Sequence, residues 1–236
     1  MGDGYYASRK TKLLKDFDKA VKQVKGVIVA SYGKDLADTA VKEARLEYEK
    51  LVPQIPYIGG KQPFTRFIIA TAWLLAMYRV LKAHGKAVDE VGKIIYEATE
   101  KIIYGYPWFI RYLIGRVFFS KILLSRLRKG AAESQKRLYP SDYVYTFVEG
   151  DGKEFDFGVD YTECATCKFL NLHGAPELAP YICLCDEVYS EAFGWGLVRT
   201  TTIAEGSKKC DFRFKKGGST RILSRISRSG WSKRLR

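Results

Sequence analysis

The hydrophobic pattern changes period at Pro140, and this constrains the fold more than any other feature of the chain. Before Pro140, apolar residues recur every three to four positions, the period of a helix buried on one face. Residues 1–34 read as a charged helical lead-in. Lys34 to Leu51 reads as a helix with early acids, ended by Pro53 and Pro56. The loop that follows carries Gly59–Gly60 and Pro63. Phe64 to Ala83 is apolar nearly all round, as a buried central helix would be, with Gly85 at its C-cap. Val88 to Ile103 is a further helix, Pro107 starts another running to about Lys129, and Ala131 to Leu138 is polar and helical. After Pro140 the pattern is mixed. Tyr143–Val148 and Phe155–Tyr161 alternate as strands around the turn signal EGDG and predict a hairpin. Cys164–Leu172 and Pro176–Phe193 read as helices; Leu197–Ala204 and Cys210–Phe214 read as strands joined by a turn at Gly206. The expected class is α+β: a helical N-terminal part packed on a four-stranded antiparallel sheet with two helices, in the order β-β-α-α-β-β. The expected division is 1–139 helical, 140–218 α+β with the cysteines, and 219–236 a flexible basic tail.

Composition excludes several classes. The chain has 236 residues, 47% of them hydrophobic and 28% charged, so a packed core is affordable and general disorder is excluded. Five cysteines are too few, and odd in number, for a disulfide scaffold. The net charge of +14 is segregated. Residues 219–236 hold Arg221, Arg225, Arg228, Lys233, Arg234 and Arg236 without an acid; Lys101 to Lys129 holds seven basic residues without an acid. Residues 142–191 hold eleven acids against Lys153 and Lys168. No nucleic-acid module is recognisable, so no nucleic-acid partner is expected. Position 6 is Tyr rather than the Ser or Thr of a myristoylation start. The polar N-terminus lacks a signal core and the longest apolar run, Phe67 to Tyr78, is too short to span a bilayer. A cytoplasmic protein with reduced cysteines is expected. For the tail, a solvated segment is the favoured reading and peripheral membrane contact the less favoured one. The sequence sets no oligomeric state.

The cysteines are Cys164, Cys167, Cys183, Cys185 and Cys210. CxxC followed by CxC resembles zinc-ligand spacing. Helix phase opposes a four-cysteine site, because Cys183 and Cys185 point about 200° apart on a helix. Leu178, Ile182, Cys185, Tyr189 and Ala192 share a stripe expected to face the sheet, which makes Cys185 a small core side chain. Cys183 shares its face with Asp186, Glu187 and Ser190. Cys164 starts a helix, where free N–H groups lower a thiol pKa, though an inert buried thiol is as well supported. Cys167 reads as partly exposed or structural. Cys210 alternates with Phe212 and Phe214 and is expected to point at the helical layer. Convergence of Cys164, Cys183 and Cys210 would let three thiols and Asp186 bind a metal, or let one thiol act as nucleophile with Asp186 as acid–base partner. The sequence requires no cofactor; a divalent metal is the one these thiols would accept. Arg199, beside Thr200, Thr201 and Thr202, could clamp a carboxylate, with an ion pair to Asp211 or Glu205 the plainer reading. His84 and His173 each precede a glycine, as capping or surface residues do. The Gly59–Gly60 loop lacks the Lys-Ser/Thr of a phosphate cradle.

Three stretches carry a family likeness: VEGDGKEFDFGVDYTEC (148–164), APELAPYICLCDEVYSEAFG (175–194) and LVRTTTIAEGSKKCDFRFKKG (197–217). With the weaker LEYEKLVPQIPYIGGKQPFT (46–65), they resemble the L-2-amino-thiazoline-4-carboxylic acid hydrolase family over about three quarters of the chain. The matching positions are Cys164, Cys183, Asp186, Arg199, Gly206, Cys210 and Asp211; the basic tail lies outside the likeness. The resemblance implies a hydrolase that opens a small cyclic amidine or amide with water, giving a carbamoyl-cysteine-type product. It implies Cys183 as nucleophile or metal ligand, Asp186 as the acid–base group, Arg199 as the substrate-carboxylate clamp with Thr200 and Asp211 beside it, and Cys164 and Cys210 shaping the site. The partner expected is a small-molecule substrate. The rival reading is a noncatalytic small-molecule or metal sensor, since the second half also resembles four-vinyl-reductase-type ligand-binding domains.

Overall fold

The computed structural model describes residues 4–60, 62–226 and Trp231. Backbone contacts group them into two compact units that interleave along the sequence. One comprises Met1–Ala98 with Ala165–Tyr181, the other Thr99–Cys164 with Ile182–Arg236.

The first unit is helical. Helices α1 (Lys10–Tyr32) and α2 (Lys34–Leu51) run antiparallel, as the ion pairs Lys10–Glu49 at 2.7 Å and Arg45–Asp18 at 2.9 Å show. One residue joins them: Gly33 has φ +87°, a conformation open to glycine and strained for other residues. Helix α3 (Thr65–Ala83) buries Ile68, Ala72, Leu75, Ala76 and Leu81, the all-round apolar pattern read from its sequence, although Phe67 is exposed. The first turns of α4 (Val88–Tyr104) and the short α7 (Ala165–Leu172) complete the unit, α7 meeting α3 through a buried hydroxyl pair, Thr71–Thr166 at 3.0 Å.

The second unit carries the sheet. Strands β1 (Val144–Glu149), β2 (Phe157–Glu163), β3 (Leu197–Arg199), β4 (Cys210–Phe214) and β5 (Arg221–Ile222) lie in the order β1-β2-β4-β3-β5. The expected hairpin is present as antiparallel β1–β2. The sheet differs from the expected four antiparallel strands in one respect: residues 221–222 of the basic tail add a fifth strand, parallel to β3. Leu223 N–H continues this pairing by donating to Arg199 O at 2.9 Å. The tail beyond Ile226, apart from Trp231, lies outside the described residues.

Two other sequence expectations change. The helix read from Pro107 to Lys129 is two helices, α5 (Trp108–Phe118) and α6 (Lys121–Ser134). Ser120 caps α6 by accepting from Leu123 N–H at 3.3 Å, and Phe118 and Phe119 turn into the aromatic cluster around Phe157 and Phe214. The strand read from Leu197 to Ala204 stops at Arg199. There the Asp211 carboxylate accepts from Thr200 N–H at 2.8 Å and Thr201 N–H at 2.7 Å, taking the donors that a longer ladder would use. Helix α8 (Ala179–Phe193) follows a short 3-10 turn, Pro176–Leu178, and its residues 182–193 lie with this unit.

Candidate functional site

Strand register sorts the site residues by face. Tyr161 pairs with Cys210, Val159 with Phe212, and Arg199 with Phe212, so Tyr161, Cys210, Phe212 and Arg199 share one face of the sheet. Asp160 and Asp211 share the other. Cys210 points to the first face, as its alternation with Phe212 and Phe214 predicts.

Helix α8 lies over that first face, but not with the stripe expected from its sequence. Asp186 pairs with Arg199 of β3, and buried Ser190 accepts the Leu197 N–H of β3 at 2.9 Å. Cys185, expected against the sheet, is buried instead beside the second half of α4, where Thr99 Oγ1 donates to its sulfur at 3.5 Å. Helical period shows which residues share a face; it does not show what that face meets. Here the sheet offers a guanidinium and a free backbone N–H, which the polar Asp186 and Ser190 satisfy and the apolar stripe cannot.

Arg199 is the centre of the arrangement. It is 1% exposed, one of the largest fully buried side chains in the chain. Its Nη1 donates to the Asp186 carboxylate and, at 3.0 Å, to the Cys183 carbonyl. Its ion-pair partner is therefore Asp186, neither Asp211 nor Glu205. Its guanidinium lies 5.4 Å over the Phe212 ring, and its Nε is buried with no hydrogen-bond partner among the described residues.

Around this pair burial favours the protonated forms of the thiols and raises the proton affinity of the Asp186 carboxyl. Burial, then the charge of Asp186, pushes the Cys183 thiol well above its usual range, outweighing Arg199. Burial pushes Cys210 up to about 11 against the Ile203 N–H that its sulfur accepts at 3.2 Å. Burial also raises the Asp186 carboxyl, which the charge and hydrogen bond of Arg199 only partly offset. Cys164 is close enough for its charge to act on both Cys183 and Cys210. Asp186 nonetheless keeps 33% of its side-chain surface open, and Cys164 and Cys183 are half-buried. Cys164, Cys183, Asp186, Arg199 and Cys210 are thus brought together. No three His, Cys, Asp or Glu side chains among the described residues stand close enough to hold a metal, so the thiols form no metal cage here.

Thr200 and Asp211 are not brought to this cluster. The Asp211 carboxylate accepts from both N–H groups and both hydroxyls of Thr200 and Thr201. Burial opposes its ionisation, but these bonds hold its pKa below the usual carboxylate range. Its role is to shape the turn behind Arg199. Cys167 is buried in α7 of the helical unit, where His173 stands near Arg79 at 3.4 Å; neither belongs to the thiol cluster. Tyr161 was missed. Burial, with the nearby charges of Tyr145, Asp186, Cys164 and Cys210, holds its phenol protonated far above the normal range. The signal was present in FGVDYTEC, whose alternation puts Phe157, Val159 and Tyr161 on one face.

A family model for L-2-amino-thiazoline-4-carboxylic acid hydrolase matches residues 66–214, more than half the chain. The chain belongs to that family. The match takes in every member of the L-2-amino-thiazoline-4-carboxylic acid hydrolase pattern read above, from Cys164 to Asp211, and ends before the basic tail. No curated protein and no solved structure matches the chain at a significant level.

Proposed function

We propose that this protein is a hydrolase of a small cyclic amidine or amide carrying a carboxylate, with L-2-amino-thiazoline-4-carboxylate as the first substrate to test. The observation that carries the reading is the Arg199–Asp186 pair beside Cys183, with Cys164, Cys210 and Tyr161 close enough to act on it electrostatically. Family membership supports the same class of reaction.

Cys183 is the nucleophile in this reading. Its thiol is neutral at rest, so attack on the amidine carbon must release a proton as the carbon–sulfur bond forms. Asp186, three residues on and on the same helix face, takes that proton; its raised pKa makes it the stronger base. The proton then passes to the ring nitrogen as the ring carbon–nitrogen bond breaks. Water adds to the enzyme-bound carbon and displaces the Cys183 thiol, giving a carbamoyl-cysteine-type product in which one water has been consumed. Arg199, 1% exposed, holds Asp186 in place and gives the site the positive charge that favours a substrate carboxylate. The protonated Tyr161 and Cys210 are neutral hydrogen-bond donors for charge developing on the substrate. Thr200 and Asp211 have no contact with substrate in this reading.

Turnover of L-2-amino-thiazoline-4-carboxylate, followed by mass spectrometry of the hydrated product, is the test, with metal content measured on the same sample. Product from the wild type and none from folded Cys183→Ala is expected. Product from Cys183→Ala at the wild-type rate removes Cys183 as nucleophile. No product from the wild type, with a small molecule or metal co-purifying, replaces the hydrolase with a noncatalytic sensor.

A further inference from the structure

Helix α5 is amphipathic with its apolar stripe on the outside. Its inner side is fixed by Gly115, where an added Cβ would lie 2.0 Å from the Phe193 carbonyl oxygen, and by Phe118, stacked on Trp195 at 4.1 Å. The outer side carries Phe109, Tyr112, Leu113 and Val117, spaced i, i+3, i+4 and i+8 and exposed by 56%, 56%, 60% and 52%. Trp108, 72% exposed, stands against Phe109 at the helix start, and Ile122, 68% exposed, lies at the start of α6. Four large apolar side chains on one exposed helix face, with Trp108 6.3 Å from Phe109, mark an interaction site rather than ordinary scatter.

Along the chain the charge of this region is of one sign, although Glu149 of β1 pairs with Arg128 of α6 and Asp156 accepts from Lys216 N–H. No Asp or Glu occurs between Glu100 and Glu133. Arg116 lies within the stripe, its guanidinium bonded to the Tyr112 hydroxyl at 2.9 Å. Lys121, Arg126 and Lys129 are exposed on α6. Exposed Lys216, from the segment after β4, is near enough to help Arg116 lower the Tyr112 pKa. Side chains more than half exposed along three turns form a ridge, not a groove. A protein partner would need a matching groove, and a second copy would bring like charges together. A soft, negatively charged surface accepts a ridge of Trp, Phe, Tyr, Leu and Val edged by Lys and Arg.

We propose that α5 and the first turns of α6 dock on an anionic lipid bilayer, the apolar stripe entering the headgroup–acyl boundary and Arg116, Lys121, Arg126, Lys129 and Lys216 facing lipid phosphates. The contact is peripheral: among the described residues no helix is long and apolar enough to cross a membrane. It is independent of the hydrolase reading and of the basic tail.

The test is co-sedimentation of the full chain with phosphatidylcholine vesicles containing about 30% phosphatidylglycerol, against phosphatidylcholine alone. Three variants go with it: Phe109→Ser/Leu113→Ser, Lys121→Glu/Arg126→Glu/Lys129→Glu, and a chain ending at Ile226. The first two change exposed side chains only, and circular dichroism checks their folding. The wild type is expected to bind the anionic vesicles and to release them at high salt. Each surface variant is expected to weaken binding about tenfold, and the shortened chain to retain it. Absence of binding at low salt overturns the proposal. So does binding that survives both surface variants or is lost with the tail. A dimer in sedimentation velocity that Phe109→Ser/Leu113→Ser converts to monomer, without vesicle binding, assigns the stripe to a second copy instead.

Discussion

The two faces of the sheet each carry an aspartate paired with an arginine, and the two pairs behave oppositely. On the outer face, Asp160 accepts from Arg213 at 2.7 Å through one oxygen and from Lys209 at 2.6 Å through the other. Burial opposes its ionisation, but two cations hold its pKa below the usual carboxylate range. On the inner face, Asp186 pairs among the described residues with Arg199, through one oxygen, and burial raises its pKa. Asp160 is saturated and acts as a structural clamp. Asp186 is the carboxylate with an oxygen free of Arg199, surface left open and a proton affinity raised above that of an ordinary aspartate. Pairing alone does not mark a functional carboxylate; incomplete pairing of a partly open one among perturbed thiols does.

The largest effect is expected from removing each arginine in turn. Arg199→Met leaves Asp186 surrounded by protein without its cation and should cost about 3–5 kcal/mol in urea unfolding, with loss of turnover. Arg213→Met leaves Asp160 with Lys209 and should cost about 1 kcal/mol or less. The double variant Arg199→Met/Asp186→Leu should regain most of the stability and none of the activity. Equal losses for the two arginine variants would erase the distinction between the faces.

The next contrast is between the two faces of α8. Cys183→Ala should lower turnover about a thousandfold or more in the proposed mechanism. Cys185→Ala, on the face toward Thr99, should leave turnover within a few-fold of the wild type while destabilising the core by about 1 kcal/mol. Similar turnover losses in both variants would mean that packing of α8, rather than the chemistry of Cys183, is being measured.

Much of this was legible in the sequence, and the rest failed for identifiable reasons. Helix α2 was bounded by its prolines, and the β1–β2 hairpin by alternation around EGDG. The grouping of Cys183 with Asp186 and Ser190, and the inward Cys210, follow from period alone. Which face of α8 meets the sheet did not follow, because it depends on what β3 presents: a buried guanidinium and a free Leu197 N–H are invisible to a hydrophobic pattern. Local spacing suggested Asp211 or Glu205 for Arg199, whereas the partner came from another element. Strand β5 was hidden because two residues, Arg221 and Ile222, give no alternation to read.

The smallest and most discriminating effect is in pH dependence. Asp186 binds its proton more tightly folded than unfolded, so between its ordinary value of 3.8 and its raised folded value the native state holds more protons. Stability from this group therefore falls as pH rises through that window, with a slope of at most about 1.4 kcal/mol per pH unit. Asp160 has the opposite sign: its folded pKa lies below 3.8, its contribution is present above that value and is lost as pH falls through the folded value. Asp186→Asn should remove a downward slope just above pH 3.8, and Asp160→Asn a stability loss below it, each read from urea midpoints across the acid range. In the active enzyme Asp186 must be ionised to accept a proton. The acid limb of kcat/KM should therefore lie above the range of an ordinary aspartate and be unmoved by Asp160→Asn. An acid limb that moves with Asp160→Asn would show that the outer pair, not the inner one, governs the protonation state of the site.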